Sequence, residues 1–311
     1  MTPAPGRFAH FACFDWSGQA VARPRGLALA TVAADPDAPP RLVTPPPDPG
    51  AAPGTAAPWS RQAALDWILA QAGPGADMLI GLDLSPTFPF VDQGAYFPGW
   101  PHSPAGPRAL WALVDAVAQD DPHLGATGFV THPEARRYFR HARGDTGDRF
   151  GPAGTGRLRA VEHHQRATRQ ANSASCFNLV GAAQVGKSSL TGMRVLHRLA
   201  GRVPVWPFDP LPDRGPVIVE IYTSIAARAA GMGAGRSKLR SRAALLTALD
   251  RLGSRAPARL ARYDDHATDA LVTAAWLRSV AQDGALWPAL WHPPALSEHI
   301  ACTEGWTFGV I

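Results

Sequence analysis

The sequence has very little lysine and very little cysteine. Only Lys187 and Lys238 are lysines, and arginine supplies every other cationic side chain that is charged throughout the neutral range. The three cysteines, Cys13, Cys176 and Cys302, lie far apart in apolar runs and form no CxxC pair. This spacing predicts small buried side chains in a reducing compartment. The histidines lack a Cys or His partner at zinc spacing, which argues against a zinc site.

Long apolar runs and blocks of like charge are also missing. The sequence has no run of 18 apolar residues, and the apolar run near its N-terminus is interrupted by Asp15, unlike a signal peptide. We therefore expect a cytoplasmic protein. With 311 residues, 46% of them hydrophobic, and a net charge of +5, the chain can form a sizeable core and can accept a nucleic-acid or phosphate partner, but its charge does not require one.

Apolar and polar periodicity predicts an α/β order of elements. Three strands, at 11–14, 25–33 and 41–44, follow each other over short turns and favour an antiparallel meander. A Pro- and Gly-rich connector at 45–58 precedes a helix with Ser60 as its N-cap. Further strands are predicted at 77–83, 177–180, 203–206, 217–221 and 306–311, and further helices at 109–117, 188–199, 225–230, 241–252 and 264–280.

Acidic residues recur where apolar segments end. Asp15 ends the strand FACFD, Asp83 ends MLIGLD, and Glu220 lies in VIVE. Asp265 and Asp269 are four residues apart, which places both on one helix face. Each acid taken alone is also explained as a turn or helix cap, with Asp264 or Asp265 as the N-cap of the last long helix.

A shared site explains the recurrence better than independent caps do. Burying carboxylates at strand ends requires a compensating cation. Oxygen ligands of this kind hold Mg²⁺ or Mn²⁺, and a pair of such ions about 4 Å apart catalyses phosphodiester hydrolysis. The pattern therefore predicts a metal-dependent nuclease.

Several short motifs resemble one family. FDWSG, IGLDLSPTFPF, VIVEIY, DDHATDAL and EGWTFGV together are similar to the predicted nucleases of ribonuclease H-like fold in the domain-of-unknown-function family numbered 429. The resemblance covers most of the chain. It implies a mixed five-stranded sheet whose first three strands are antiparallel, with helices on both faces. The resemblance also implies Asp15, Asp83 and Asp269 as metal ligands, Asp265 as a companion and Glu220 as the acid that follows the fifth strand of the family. We expect a single domain with a helical, basic insertion at about 90–175, where arginines occur without a sustained apolar pattern.

A second motif predicts a different function. The segment GAAQVGKS, residues 181–188, satisfies the phosphate-loop pattern GxxxxGK[ST]. In such a loop, Lys187 would contact phosphates and Ser188 would bind Mg²⁺. The motif lies late in the chain, however, and no following strand ends in Asp, so a glycine turn and helix that serve packing remain an alternative.

Basic residues suggest where nucleic acid, DNA or RNA, could bind. Lys238 and Arg240 precede a predicted helix and could contact a phosphate backbone, or they could simply be solvated. Tyr138 and Phe139 lie among arginines, an arrangement compatible with nucleic-acid contact. A non-catalytic nucleic-acid-binding module is therefore the third function class. His266, beside Asp265, is a candidate for tuning a metal-bound water.

Overall fold

A mixed six-stranded sheet organises the chain. The computed structural model describes residues 2–47, 57–73, 75–151, 154–181, 184–233 and 238–311. In the sheet, the strand order is β3-β2-β1-β4-β6-β5. The strands are β1 (His10–Asp15), β2 (Ala28–Ala33), β3 (Arg41–Leu42), β4 (Met78–Leu82), β5 (Val205–Trp206) and β6 (Val217–Glu220). The α/β class is confirmed, but the prediction of five strands is wrong, because β5 adds a short edge strand beside β6.

Strand pairing places three strand ends at one edge of the sheet. β1 and β2 are antiparallel, as are β2 and β3, which confirms the predicted meander. β1, β4, β6 and β5 are parallel neighbours. Phe14 is in register with Leu82, and Leu82 with Glu220. The carboxyl ends of β1, β4 and β6 therefore lie next to one another, and this is where open α/β sheets commonly bind ligands.

Helices cover both faces of this sheet. They are α1 (Arg61–Gln71), α2 (Pro107–Val117), α3 (Thr127–Thr131), α4 (Ala160–Ala167), α5 (Val185–Arg198), α6 (Thr223–Ala229), α7 (Arg242–Arg251), α8 (Asp265–Gln282), α9 (Leu286–Trp291) and α10 (Glu298–Thr303). The Ser60 and Asp264 side chains accept hydrogen bonds from the first turns of α1 and α8, as expected of N-caps. None of the described helices is both long enough and apolar enough to cross a membrane.

One apolar cluster covers each face of the sheet. One lies between the sheet and helices α1, α2 and α5, and the other between the sheet and helices α6 to α9. Helix α8 is the centre of the second cluster, with Leu271, Ala274 and Leu277 fully buried. Gly81 in β4 permits this close packing, because a Cβ there would lie 2.9 Å from Ile221 and 3.3 Å from Leu277.

Two predicted strands are wrong. Residues 177–180 form a turn in which only Asn178 makes an isolated bridge. Their apolar side chains, including the fully buried Phe177, fill the cluster beneath α5 without extending the sheet. Residues 306–311 likewise make one bridge, from Thr307 to Glu220. Left-handed backbone at Gly305 and Gly309 interrupts an extended conformation there. The predicted connector at 45–58 lies partly outside the described residues.

The segment predicted as a basic insertion, 90–175, contains α2, α3, α4 and several short 3₁₀ turns. Its aromatic residues pack inward: Tyr138 and Phe139 are buried in the α5-side cluster. The expectation that these two rings are available to nucleic acid is therefore wrong. Arg136 and Arg137 form ion pairs with Asp145 and Asp148, so part of the basic charge is neutralised locally.

Candidate active site

Asp15 and Asp83 lie side by side on the α8 face of the sheet. Alternate residues of a strand share a face, and Cys13 of β1 and Leu79 of β4 belong to the α8-side cluster. Asp15 follows Cys13 by two residues and Asp83 follows Leu79 by four, so both carboxylates face α8. The amide of Asp83 donates to the Phe14 carbonyl at 3.0 Å, which extends the ladder to this position.

Helix α8 brings a third carboxylate, that of Asp269, to the same place. Burial raises the pKa of Asp269 from 3.8 to about 7, and the negative charges of Asp15 and Asp265 contribute to that rise. Burial also raises the pKa of Asp83 well above its ordinary value, with the charges of Asp15 and Asp269 adding to the effect. The structure therefore brings Asp15, Asp83 and Asp269 together closely enough for their charges to repel one another.

His266 and Lys238 offset part of this negative charge. The His266 Nδ1 atom lies 2.7 Å from Oδ2 of Asp15, and this hydrogen bond raises the pKa of His266. Burial raises the pKa of Asp15, while His266 and the positive charge of Lys238 oppose the rise. His266 thus pairs with Asp15, not with Asp265. Gly26 makes room for the imidazole, since a Cβ there would lie 2.9 Å from the ring.

Two further groups contact this carboxylate cluster of Asp15, Asp83 and Asp269. Thr223, at the start of α6, donates a 3.3 Å hydrogen bond to Asp83. Cys13 lies fully buried behind the carboxylates, and burial, together with the charges of Asp15 and Asp83, raises the pKa of its thiol well above the usual value.

Asp265 is directed to a different partner. Its carboxylate accepts hydrogen bonds from Lys238 at 2.6 Å and from Arg240 at 3.0 Å. Hydrogen bonding to these cations lowers the pKa of Asp265. The two basic residues predicted to bind nucleic acid are therefore paired with the acid predicted as a companion ligand. Arg236, from the same basic segment, lies outside the described residues.

Glu220 lies on the opposite face of the sheet from this cluster. Glu220 follows Ile218 by two residues and is in register with Leu82, and both of these residues belong to the α5-side cluster. Its carboxylate binds the buried Arg159 guanidinium at 2.5 and 2.8 Å and accepts a hydrogen bond from Thr307 at 2.8 Å. The structure therefore does not bring Glu220 to the other three acids.

A cavity of about 320 Å³ opens along the carboxyl ends of β4 and β6. Asp83 lies on its wall, together with Trp16, Glu220, Gln184 and Ser188. Asp83 is partly exposed to this space, whereas Asp15 is only 6% exposed. A ligand entering the cavity therefore approaches the carboxylate cluster from the Asp83 side, with the first turn of α5 on its other flank.

The phosphate-loop motif adjoins the site, but its structural context differs from that of a nucleotide-binding loop. Such a loop connects a strand to a helix, and the described residues before α5 form a turn. Residues 182 and 183 lie outside the described residues. Gly186 packs against the chain, since a Cβ there would lie 2.5 Å from the Cys176 carbonyl oxygen. Packing explains this glycine, as the alternative interpretation expected.

The three carboxylates supply the hard oxygen donors that Mg²⁺ and Mn²⁺ prefer, and a divalent cation would relieve the repulsion that raises their pKa values. As placed, however, no group of three or more His, Cys, Asp or Glu side chains in the described part of the chain forms a ready metal site. Comparisons with protein-family models, curated proteins and solved structures found no match.

Sequence reasoning missed the partners that surround the acids. The pairing of His266 with Asp15 joins positions 251 residues apart, and nothing local in the sequence indicates it. Thr223 could have been found, because it follows β6 at the edge where Asp83 follows the neighbouring β4. The same strand alternation would have separated Glu220 from Asp83.

Proposed function

We propose that the protein is a metal-dependent nuclease of ribonuclease H-like fold that hydrolyses the phosphodiester bonds of a nucleic acid at a site formed by Asp15, Asp83 and Asp269. The observation that carries this proposal is the convergence of three carboxylates at the ends of β1 and β4 and on α8, where the charges of Asp15 and Asp269 raise the pKa of Asp83 and the charge of Asp15 raises that of Asp269. A purely structural site would gain nothing from such repulsion, since buried like charges destabilise a fold.

The donor set fits a divalent cation in its chemistry. Asp15, Asp83 and Asp269 would hold Mg²⁺ or Mn²⁺, and their side chains must adjust when it binds, since they are not a ready ligand set as placed. A bound ion would act as a Lewis acid on a phosphodiester oxygen. His266 fixes the orientation of Asp15 through its 2.7 Å contact, and Thr223 does the same for Asp83.

The resemblance to the family numbered 429 supports the same proposal from the motifs. The antiparallel pairing of β1, β2 and β3 within a mixed sheet agrees with the strand arrangement that the resemblance implies. Glu220 and Asp265 are left out of the proposed ligand set, because the first binds Arg159 and the second binds Lys238 and Arg240.

Metal binding and cleavage can be tested separately. Mn²⁺ or Mg²⁺ at 100 times its dissociation constant should stabilise the native protein by about 2.7 kcal/mol, measured by urea denaturation with and without EDTA. Asp83→Asn should abolish both this stabilisation and the metal-dependent cleavage of a labelled oligonucleotide. Asp250→Asn, at an exposed position near the end of α7, is the matched control and should change neither. Cleavage that persists in Asp83→Asn would refute the proposal.

A further inference from the structure

We propose that a cationic groove beside the active site, formed by residues 19–25 and 184–187, binds the phosphodiester backbone of a single nucleic-acid strand and leads it to Asp83. This inference rests on the proposed nuclease function and specifies its substrate class. It also assigns Lys187 to a polynucleotide strand instead of to a mononucleotide.

The groove is open, has a volume of about 650 Å³, and carries positive charge without any acid among its described lining residues. It is lined by Gln19, Ala20, Val21, Arg23, Arg25, Gln184 and Lys187. Arg25 and Lys187 are exposed, and neither side chain has an ion pair or hydrogen bond within the described part of the chain. Phosphates attract such cations strongly, because binding releases counterions from the nucleic acid.

The contrast with Lys238 and Arg240 shows why the groove is the better phosphate site. Those two cations neutralise Asp265, at 2.6 and 3.0 Å. A phosphate there would have to compete with a carboxylate already in contact. A phosphate above Arg25 or Lys187 would compete with no carboxylate that the described part of the chain pairs with them.

The loop that carries Arg23 and Arg25 is fastened to the helices on the α5 side. Trp16 donates its indole N–H to Thr191 of α5 at 3.1 Å. The buried Arg61 of α1 donates to the carbonyls of Ser17 and Gln19. These contacts hold the start of the loop in place before a ligand arrives, which lowers the entropic cost of binding.

Glycine at position 18 brings the loop against the start of α5. A Cβ at Gly18 would overlap the backbone of Lys187 and lie 2.5 Å from the Ser188 amide nitrogen. The FDWSG motif and the GKS motif, which predict different functions when each is taken alone, are therefore in direct contact. The residues that follow Gly18, up to Arg25, therefore line one groove together with Lys187.

The groove is continuous with the catalytic cavity. Gln184 lines both spaces, and the consecutive residues Lys187 and Ser188 line the groove and the cavity respectively. A strand with one phosphate near Asp83 would therefore place its neighbouring phosphates along Lys187 and the 19–25 loop. The described groove lining has no aromatic ring on which a base could stack, which favours contact with the backbone over contact with particular bases.

The test measures binding without metal, so that it does not depend on cleavage. Fluorescence anisotropy in EDTA would follow a labelled 12-nucleotide DNA strand, and an RNA strand of the same sequence, over a series of KCl concentrations. Each lost phosphate contact should reduce the slope of log affinity against log salt by about 0.7. The double variant Arg25→Gln with Lys187→Gln should therefore lose about 1.4 in slope. Raising KCl from 50 to 200 mM should then reduce its affinity for the strand by roughly sevenfold less than it reduces the affinity of wild type.

Arg214→Gln is the matched control. Arg214 is 79% exposed and pairs with Asp77, which precedes β4 at the opposite edge of the sheet, so its slope should equal that of wild type. Arg25→Lys with Lys187→Arg, which keeps both charges, should retain the slope. A loss with DNA only, RNA only or both supports the inference and identifies the strand.

Three results would overturn the inference: wild type that binds neither strand at low salt, a double variant with an unchanged slope, or tight binding of Mg²⁺–ATP that Lys187→Gln abolishes. The nuclease proposal fails on its own measurement, the metal-dependent cleavage, because Asp83→Asn should still bind both strands in EDTA. Salt-dependent binding without any cleavage would support the inferred groove and refute the proposed nuclease function.

Discussion

Asp269→Asn tests whether the carboxylate cluster destabilises the metal-free protein. In the native state, burial and the neighbouring acids raise the pKa of Asp269 from 3.8 to about 7. The native state therefore binds this proton more tightly than the unfolded chain does. Protonation stabilises the fold below the unfolded pKa, and that stability is lost as the pH rises through 7. The Asn variant has no proton to lose.

The magnitude follows from the size of the shift. One pKa unit corresponds to 1.36 kcal/mol, so the full shift is worth about 4 kcal/mol. Two of these units lie between pH 5 and pH 7, and the wild-type protein should lose about 2.7 kcal/mol more than Asp269→Asn over that interval. At pH 8, in EDTA, the variant should therefore be the more stable protein.

The assay is urea denaturation of both proteins at pH 5 and pH 8 in EDTA, with the free energy of unfolding compared at each pH. Asp250→Asn, an exposed position, controls for the change of residue type. Adding Mn²⁺ at pH 8 should stabilise the wild-type protein and leave Asp269→Asn unchanged. A stability difference that is independent of pH would refute the electrostatic account of the cluster.

Two further variants test the surroundings of the site. Glu220→Gln should cost about 3 kcal/mol in unfolding free energy, because it leaves the buried Arg159 with one carboxylate fewer. Mn²⁺ should stabilise this variant as much as it stabilises wild type. Loss of that stabilisation would show that Glu220 contributes to metal binding. Gly18→Ala should cost about 1–3 kcal/mol, because its Cβ would overlap the Lys187 backbone. Calorimetry would detect this as a lower melting temperature, and an unchanged melting temperature would show that the loop is not held against α5.

The elements that apolar periodicity defines could be predicted from the sequence. β1 and β4 are buried along most of their length, and α8 follows an Asp264 N-cap, so local patterns contain the information that specifies them. Residues 177–180 are equally apolar but fill the core as a turn. Burial alone does not distinguish a strand from a buried loop, because the difference depends on which backbone groups find a partner in the sheet.

The candidate site was predictable to the extent that strand ends determine it. Asp15 ends β1 and Asp83 follows β4, its parallel neighbour, so the two acids lie side by side at the carboxyl ends of the strands. Glu220 also ends a strand, but it differs from Asp83 by one position in register, and a shift of one residue reverses the face to which a side chain points. Ion pairs between distant segments, such as that of Asp265 with Lys238, depend on the tertiary arrangement and have no local pattern.

Cys13 gives the carboxylate cluster an internal reporter. Its thiol is fully buried between β1 and α8, and its raised pKa leaves little thiolate to react. Movement of α8 away from the sheet would expose this thiol to a reagent, and the same movement would separate Asp269 from Asp15 and Asp83. The rate at which Cys13 is labelled therefore measures how often the cluster opens, and an ion that holds the three carboxylates together would slow that rate.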